Sequence, residues 1–199
     1  PNGNNVRQFW TNLSSGVSGI GPITYFDSSN HKVKIAGQLN EFKSDRILDS
    51  KEVRKLDDFS IYAIAASLEA VHMSGLDLEK INLDRAGVTI GTGVGGIQTL
   101  EEQHNVIENR GARRVSPQFV PRMIANIAGG HLSMRFGFQG PNQTVTSACA
   151  SATDAIGIAM RLIISGDADV MITGGTEASI TPLTIAGFAN MKALSQNNS

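Results

Sequence analysis

Twice in this chain a short run of strand-forming residues passes through small residues directly into a helical pattern. Ala86-Gly-Val-Thr-Ile-Gly91 reads as a strand, followed by Gly93-Val94-Gly95-Gly96 and a helix to about Asn109. Thr144-Val-Thr146 alternates as a second strand. Ser147-Ala-Cys149-Ala-Ser-Ala152 then leads into Ile156, Ile158, Ala159, Leu162 and Ile163 at helical spacing, ending at Gly166. A third strand, Ala168-Asp-Val-Met-Ile-Thr173, runs into Gly174-Gly175. This alternation predicts an α/β fold, a sheet covered by helices. Further helices are expected over Val6–Leu13, with Phe9, Trp10 and Leu13 on one face, and over Lys55–Ser74. In the second, Phe59, Tyr62, Ala63, Ala66, Ala70 and Met73 face inward and Gly75 is the stop. Pro121 opens another helix that closes near Gly137, with Ile124, Ile127, Ala128 and Leu132 inward. Residues 14 to 50 are loop-rich, with an extended piece at Lys32–Ala36.

Cys149 is the only cysteine, and it sits where strand becomes helix. A thiol at the first turn of a helix meets unpaired backbone N–H groups and the positive end of the helix dipole. Both favour thiolate, the nucleophilic form, over thiol. The same N–H groups can hydrogen-bond the oxyanion formed when sulfur attacks a thioester carbonyl. The junction therefore suggests a nucleophile for acyl transfer. The alternative is a buried, inert cysteine packed as a small hydrophobe.

Composition narrows the remaining classes. A formal net charge of −1 gives no global basic field for nucleic acid. No apolar run approaches the roughly 20 residues that span a bilayer, and no signal peptide is visible. One cysteine excludes an internal disulfide and fits a reducing compartment, the cytoplasm. With 199 residues, 41% of them apolar, and 21 glycines, the chain suits one large α/β domain or two small ones. It begins Pro1-Asn2-Gly3-Asn4 without a Met and ends in the open polar stretch Ser195–Ser199, as a cut piece would.

The four histidines read as surface or packing residues. His31 lies in a polar loop, His72 near a helix end, His104 in a polar helical stretch and His131 within Ala128-Gly-Gly-His-Leu132. Gly91-x-Gly93-x-Gly95-Gly96 invites a dinucleotide reading, but its spacing is not G-x-G-x-x-G. The acidic residue expected about 20 positions on is also unconvincing. A tight turn with close backbone packing fits better. Lys51, Arg54 and Lys55 share one face if helical, and Arg110, Arg113 and Arg114 lie in a turn. Most such runs are solvated surface.

Several segments together resemble the β-ketoacyl-[acyl carrier protein] synthases, in their bacterial type II elongating subgroup. They are Thr146-Ser-Ala-Cys149-Ala-Ser-Ala152, Gly166 to Ala178, Ala186-Gly-Phe188, Ser116-Pro-Gln-Phe-Val-Pro121, Ile127-Ala-Gly-Gly-His-Leu132 and Gly91-Thr-Gly-Val-Gly-Gly96. The resemblance covers residues 1–199 and implies the thiolase fold, two similar α/β halves in alternating layers with helices on both faces of each sheet. It implies that this chain is the N-terminal half, incomplete at both ends.

The implied activity is fatty acid chain elongation by decarboxylative Claisen condensation, without metal or cofactor. Cys149 takes an acyl chain from a carrier-protein thioester, and the carbanion left when malonyl-carrier loses carbon dioxide attacks it. The enolate donors are two histidines in later motifs, with a lysine and a second oxyanion N–H, none of them present here. The piece alone is therefore expected to be inactive, and poorly soluble through apolar surface meant for the other half. His131 matches a different family segment from those histidines.

The resemblance also places Val94 beside the acyl chain, where a bulkier aliphatic gate is common, and makes Phe188 the gating phenylalanine. Phe119 would reach the partner subunit's acyl tunnel, implying a homodimer paired through the strand before the cysteine. Lys51, Arg54, Lys55, Arg113 and Arg114 would dock the acidic acyl carrier protein. Two other readings remain open: a non-catalytic split or scaffold half, and a thiolase or initiating synthase that uses acyl-CoA.

Overall fold

In the computed structural model, which describes residues 1–198, the elements follow one another in this order. Helix α1 (Val6–Ser14) precedes the short strands β1 (Gly21–Pro22) and β2 (Ile35–Ala36), then helices α2 (Ser50–Val53) and α3 (Asp58–Ser74). Strand β3 (Ala86–Gly91) leads to α4 (Ile97–Arg110), α5 (Phe119–Met123) and α6 (Ile127–Phe136). Strand β4 (Asn142–Val145) leads to α7 (Ser151–Ile164), and β5 (Val170–Gly175) is followed by α8 (Pro182–Asn190). The chain divides into two units, one of Ser44–Ala178 and one of Pro1–Lys43 with the residues from Ser179 on.

The larger unit is built on a parallel sheet in the order β4-β3-β5. Every residue of β3 is buried, as a middle strand with both faces covered requires. Val88 pairs with Asn142 and Ala86 with Val170. Arg85 fixes the start of the second pairing. Its guanidinium forms a two-point bridge to Asp169, both N–O distances 2.7 Å, while the Asp169 N–H donates to the Arg85 carbonyl. Neighbouring residues of a strand project to opposite faces. Ile90 faces a groove lined by Ala63, Ala66 and Ala70 of α3, and a Cβ on Gly91 would run into the Ser151 backbone of α7. Helices α3 and α7 therefore cover opposite faces, and α6 packs on α3, β3 and β4.

Helix α3 starts later than the apolar pattern implied. Asp57 caps it by accepting from the Phe59 N–H, and Gly75 closes it in the left-handed region at φ 68°. Phe59, Ile61, Ala63 and Ile64 are its core face. Ala66, Ala70 and Met73, expected inward, are exposed; the first two line the open groove beside β5. The single helix expected from Pro121 to Gly137 is two, with Pro121 in the middle of α5 and Ile124 extended between them. The Met123 carbonyl, which would otherwise accept within the helix, takes the Gly96 N–H at 3.0 Å. Helix α7 buries Ser151, Ala155 and Ala159 but exposes Ile156, Met160, Ile163 and Ile164, which leaves an apolar outer face.

The smaller unit pairs β1 with β2 antiparallel. Its core is Ile23, Val33, Ala36, Ile185 and Ala189, with Phe26, Ile180 and Leu194 packed against it. Asn5 caps α1 by accepting from the Gln8 N–H, yet Phe9, Trp10 and Leu13 are exposed. No helix among the described residues is long and apolar enough to cross a membrane.

Candidate active site

Because β3 and β4 run parallel, the loops that follow them leave the same edge of the sheet, and the two junctions touch. At the second junction β4 ends at Val145, and a single 3-10 turn, Ala148–Ala150, leads into α7. Cys149 lies in that turn, one residue before the helix cap, as a free and exposed thiol. The thiol is therefore not buried as a small hydrophobe. Ala148 just before it holds φ 52°, a left-handed conformation that costs an alanine about 1–2 kcal/mol. Such strain persists only where the surroundings over-determine it.

Ser151 supplies that constraint. Its hydroxyl, on a side chain only 4% exposed, donates to the Ala148 carbonyl at 2.7 Å and accepts from the Ser147 N–H at 2.9 Å. One buried side chain thus grips the backbone on the N-terminal side of Cys149. The Ser147 hydroxyl donates in turn to the carboxylate of Asp154, in the first turn of α7 where the dipole favours negative charge. The free N–H groups expected round the sulfur are partly engaged. The Ala150 N–H donates to Ser147, and the Ser151 N–H to Ala148, inside the turn.

At the first junction the glycine run closes on a side chain far along the chain. Glu177, two residues beyond β5, accepts from the Gly93 N–H at 2.6 Å and the Val94 N–H at 3.2 Å through Oε2. Its Oε1 accepts from the Thr92 hydroxyl at 3.3 Å. Thr92 Oγ1 also accepts from the Gly95 N–H. The amides that might have cradled a phosphate hold the protein's own carboxylate, which disposes of the dinucleotide reading. A Cβ on Gly93 would lie 2.9 Å from Glu177 Oε2 and 3.9 Å from the Ala148 carbonyl, so the loop is tight against the carboxylate and within ordinary contact of the cysteine turn. Behind it, buried Asp57 accepts from both the N–H and the hydroxyl of Thr99, at 3.0 and 2.6 Å, tying the start of α3 to α4.

The remaining sites fall as follows. Val94 is 52% exposed in the loop between Thr92 and Gly95, on the same sheet edge as Cys149. Phe119 is half-buried at the start of α5. Phe188, 43% exposed, is on α8 in the smaller unit. Lys51, Arg54 and Lys55 are exposed, but α2 is one turn long. Arg54 is its cap and Lys55 lies beyond it, so no helical face carries the three. Arg113 and Arg114 are exposed in a 3-10 turn. His131 is half-buried on α6. Burial holds its imidazole below the usual value, with Arg135 acting the same way and Glu52 opposing. Among the described residues no group of three or more His, Cys, Asp or Glu could hold a metal.

Sequence reasoning missed Ser151, Glu177, Thr92 and Asp57. For Glu177 the available signal was a run of glycine amides after a strand with no ligand assigned to it.

Comparison with known proteins agrees with this architecture. Residues 1–199 match the family described as β-ketoacyl synthase, N-terminal domain. The chain is 43% identical over 198 residues to 3-oxoacyl-[acyl-carrier-protein] synthase 2 of Synechocystis sp., covering 100% of this chain and 48% of that protein. It is 46% identical over 198 residues to the enzyme of the same name from Staphylococcus aureus, covering 100% and 49%. The chain therefore spans about half the length of the curated relatives it matches. Among solved structures, the ishigamide ketosynthase/chain length factor superposes with a TM-score of 0.87 at 26% identity, over 98% of this chain and 48% of that one. A ketosynthase in a type II PKS complex with its acyl-carrier protein, bound to a hexaketide, gives 0.83 at 24%, over 98% and 52%. These neighbours carry the thiolase fold, and this chain, whose larger unit holds the helix-covered parallel sheet, corresponds to about half of each of them. The chain belongs to the β-ketoacyl synthase family, as its N-terminal domain.

Proposed function

We propose that the full-length protein is a β-ketoacyl-[acyl carrier protein] synthase of fatty acid elongation, with residues 1–199 as one functional domain and Cys149 as its nucleophile. The observation that carries this is an exposed thiol on a strained strand-to-helix turn, in a chain 43–46% identical to enzymes named 3-oxoacyl-[acyl-carrier-protein] synthase 2. The Cys149 sulfur attacks the acyl-carrier thioester carbonyl, and the carrier leaves as its thiolate, which takes up the proton lost from Cys149. Malonyl-carrier then loses carbon dioxide, and its carbanion attacks the Cys149 thioester, forming the new carbon–carbon bond and releasing the cysteine thiolate. Dividing the reaction through a covalent thioester makes each step tractable. With the Ala150 and Ser151 N–H groups used inside the turn, the Cys149 amide is the local donor for the oxyanion.

Val94, Phe119 and Phe188 are assigned to the acyl path. A homodimer through β4 fits that strand's position at the edge of the sheet. Lys51, Arg54, Lys55, Arg113 and Arg114 are assigned to an acidic acyl carrier protein, the kind of partner named in one structural neighbour. A lone cysteine, which fits a reducing compartment, supports activity in the cytoplasm. The test is intact-mass analysis of the full-length protein incubated with an acyl-carrier thioester. One acyl adduct at Cys149 is expected; no adduct on folded protein overturns the proposal. Charge reversal at Arg54 and Lys55 should raise the carrier KM while sparing a small thioester analogue, and equal loss with both would remove the docking assignment.

A further inference from the structure

Thr92 and Glu177 form a clamp whose position is set from both strands. Glu177 follows Thr176, which is pinned twice: its N–H donates to the Gly91 carbonyl at 3.0 Å and its hydroxyl to the Phe59 carbonyl at 2.5 Å. The carboxylate is thereby presented to three donors on Thr92, Gly93 and Val94. Thr92 is 2% exposed and its hydroxyl is used in both directions, donating to Glu177 and accepting from Gly95. Hydrogen bonds to an ionised acceptor are the stronger kind. The far end of the loop is anchored separately, by the Gly96 N–H on Met123. Val94, whose side chain is half exposed, is thus held at its backbone by the carboxylate, on a loop packed against the turn that carries Cys149.

We propose that Glu177 is a positioning residue that locks the Gly93–Val94 turn beside the Cys149 turn, and so sets which acyl chains the thiol accepts. This rests on the acyl-transfer reading above. Its physical basis is that a wall restricts chain length only if it cannot yield. Replacing the carboxylate by an amide removes the charge and leaves one oxygen for three donors. Kept on the Gly93 and Val94 N–H groups, that oxygen puts an N–H₂ against Thr92 Oγ1, so the Thr92 hydroxyl must turn away and the turn that carries Val94 is held less firmly.

The experiment uses the full-length protein as wild type, Glu177→Gln and Thr92→Val. It measures the rate of Cys149 acylation by intact mass with one short and one long saturated acyl-carrier thioester. In Glu177→Gln the ratio of the two rates is expected to move toward one by about threefold or more, the scale on which small changes in an apolar pocket discriminate. In Thr92→Val, which keeps shape and removes the hydroxyl, it should move the same way by less. Equal slowing with both thioesters in both variants overturns the proposal and makes Glu177 merely structural. If Glu177→Gln does not fold, an unchanged ratio in Thr92→Val overturns it. Wild type that takes neither thioester while folded brings down the acyl-transfer reading itself, a result distinct from either of these.

Discussion

The two strand-to-helix junctions at one edge of the sheet have the same topology and opposite chemistry. After β3 the chain turns on glycines, and their N–H groups are filled from within by the Glu177 carboxylate. After β4 it turns on small residues through a left-handed alanine, and the side chain left facing out is the thiol of Cys149. One junction is satisfied from within, while the other keeps a left-handed alanine and displays a thiol. The two are in contact, since Gly91 and Gly93 abut Ser151 and Ala148. Rigidity in the first is thus available to position the second.

The hardest test of that contrast is Cys149→Ala. If the second junction exists to display a nucleophile, acyl transfer by the full-length protein should fall by about a thousandfold or more, the usual scale for removing a covalent catalyst. The fold should be unchanged by circular dichroism. Activity within tenfold of wild type would erase the distinction between the junctions.

Gly91→Ala probes the contact itself. A Cβ there would lie 2.3 Å from the Ser151 backbone, with no flexible side chain to give way. A destabilisation of about 1–3 kcal/mol is expected, measured as a shift of the urea midpoint. Ser151→Ala should cost about 1 kcal/mol by leaving the Ser147 N–H without its acceptor and the Ala148 carbonyl with the Ser151 N–H alone. It should also slow alkylation of Cys149 by iodoacetamide, because the strained turn loses its grip. Wild-type alkylation with reduced stability would mean that Ser151 serves the fold alone.

What could be read from the sequence was local. The β3 pattern, the left-handed stop at Gly75, the end of α6 at Gly137 and the placing of Cys149 between strand and helix all follow from residues within a few positions of one another. What could not be read depends on partners distant in sequence. Glu177 lies 84 residues beyond Gly93, and no spacing rule connects them. The break at Ile124 is set by the Gly96 N–H taking the Met123 carbonyl, a competition invisible in the apolar period of residues 121–137. On α7 the periodicity marked Ile156 and Ile163 as helical and apolar, but period alone does not say which apolar face meets the sheet. The alanines do, because only small side chains allow the close approach made at Ala155 and Ala159.

The smallest expected effect asks whether the carboxylates behind the first junction act through charge or through bonding. Asp57 accepts from three donors, whereas its neighbour Asp58 is held above the usual carboxylate value. The causes are burial first, then the charges of Asp57 and Glu102, with Arg122 opposing. A raised folded value means the native state binds more protons than the unfolded chain between about pH 3.8 and that value, so stability falls as pH rises through the window. The penalty is complete at neutral pH and absent below the window. Asp58→Asn should therefore raise the Tm at neutral pH, by less than the Ser151→Ala loss, and the gain should vanish near pH 3.5. A lower Tm at neutral pH would mean that the Asp58 charge helps the start of α3 through the helix dipole. The contrast between a bonded carboxylate that supports the junction and an unbonded one that merely tolerates it would then fail at this residue.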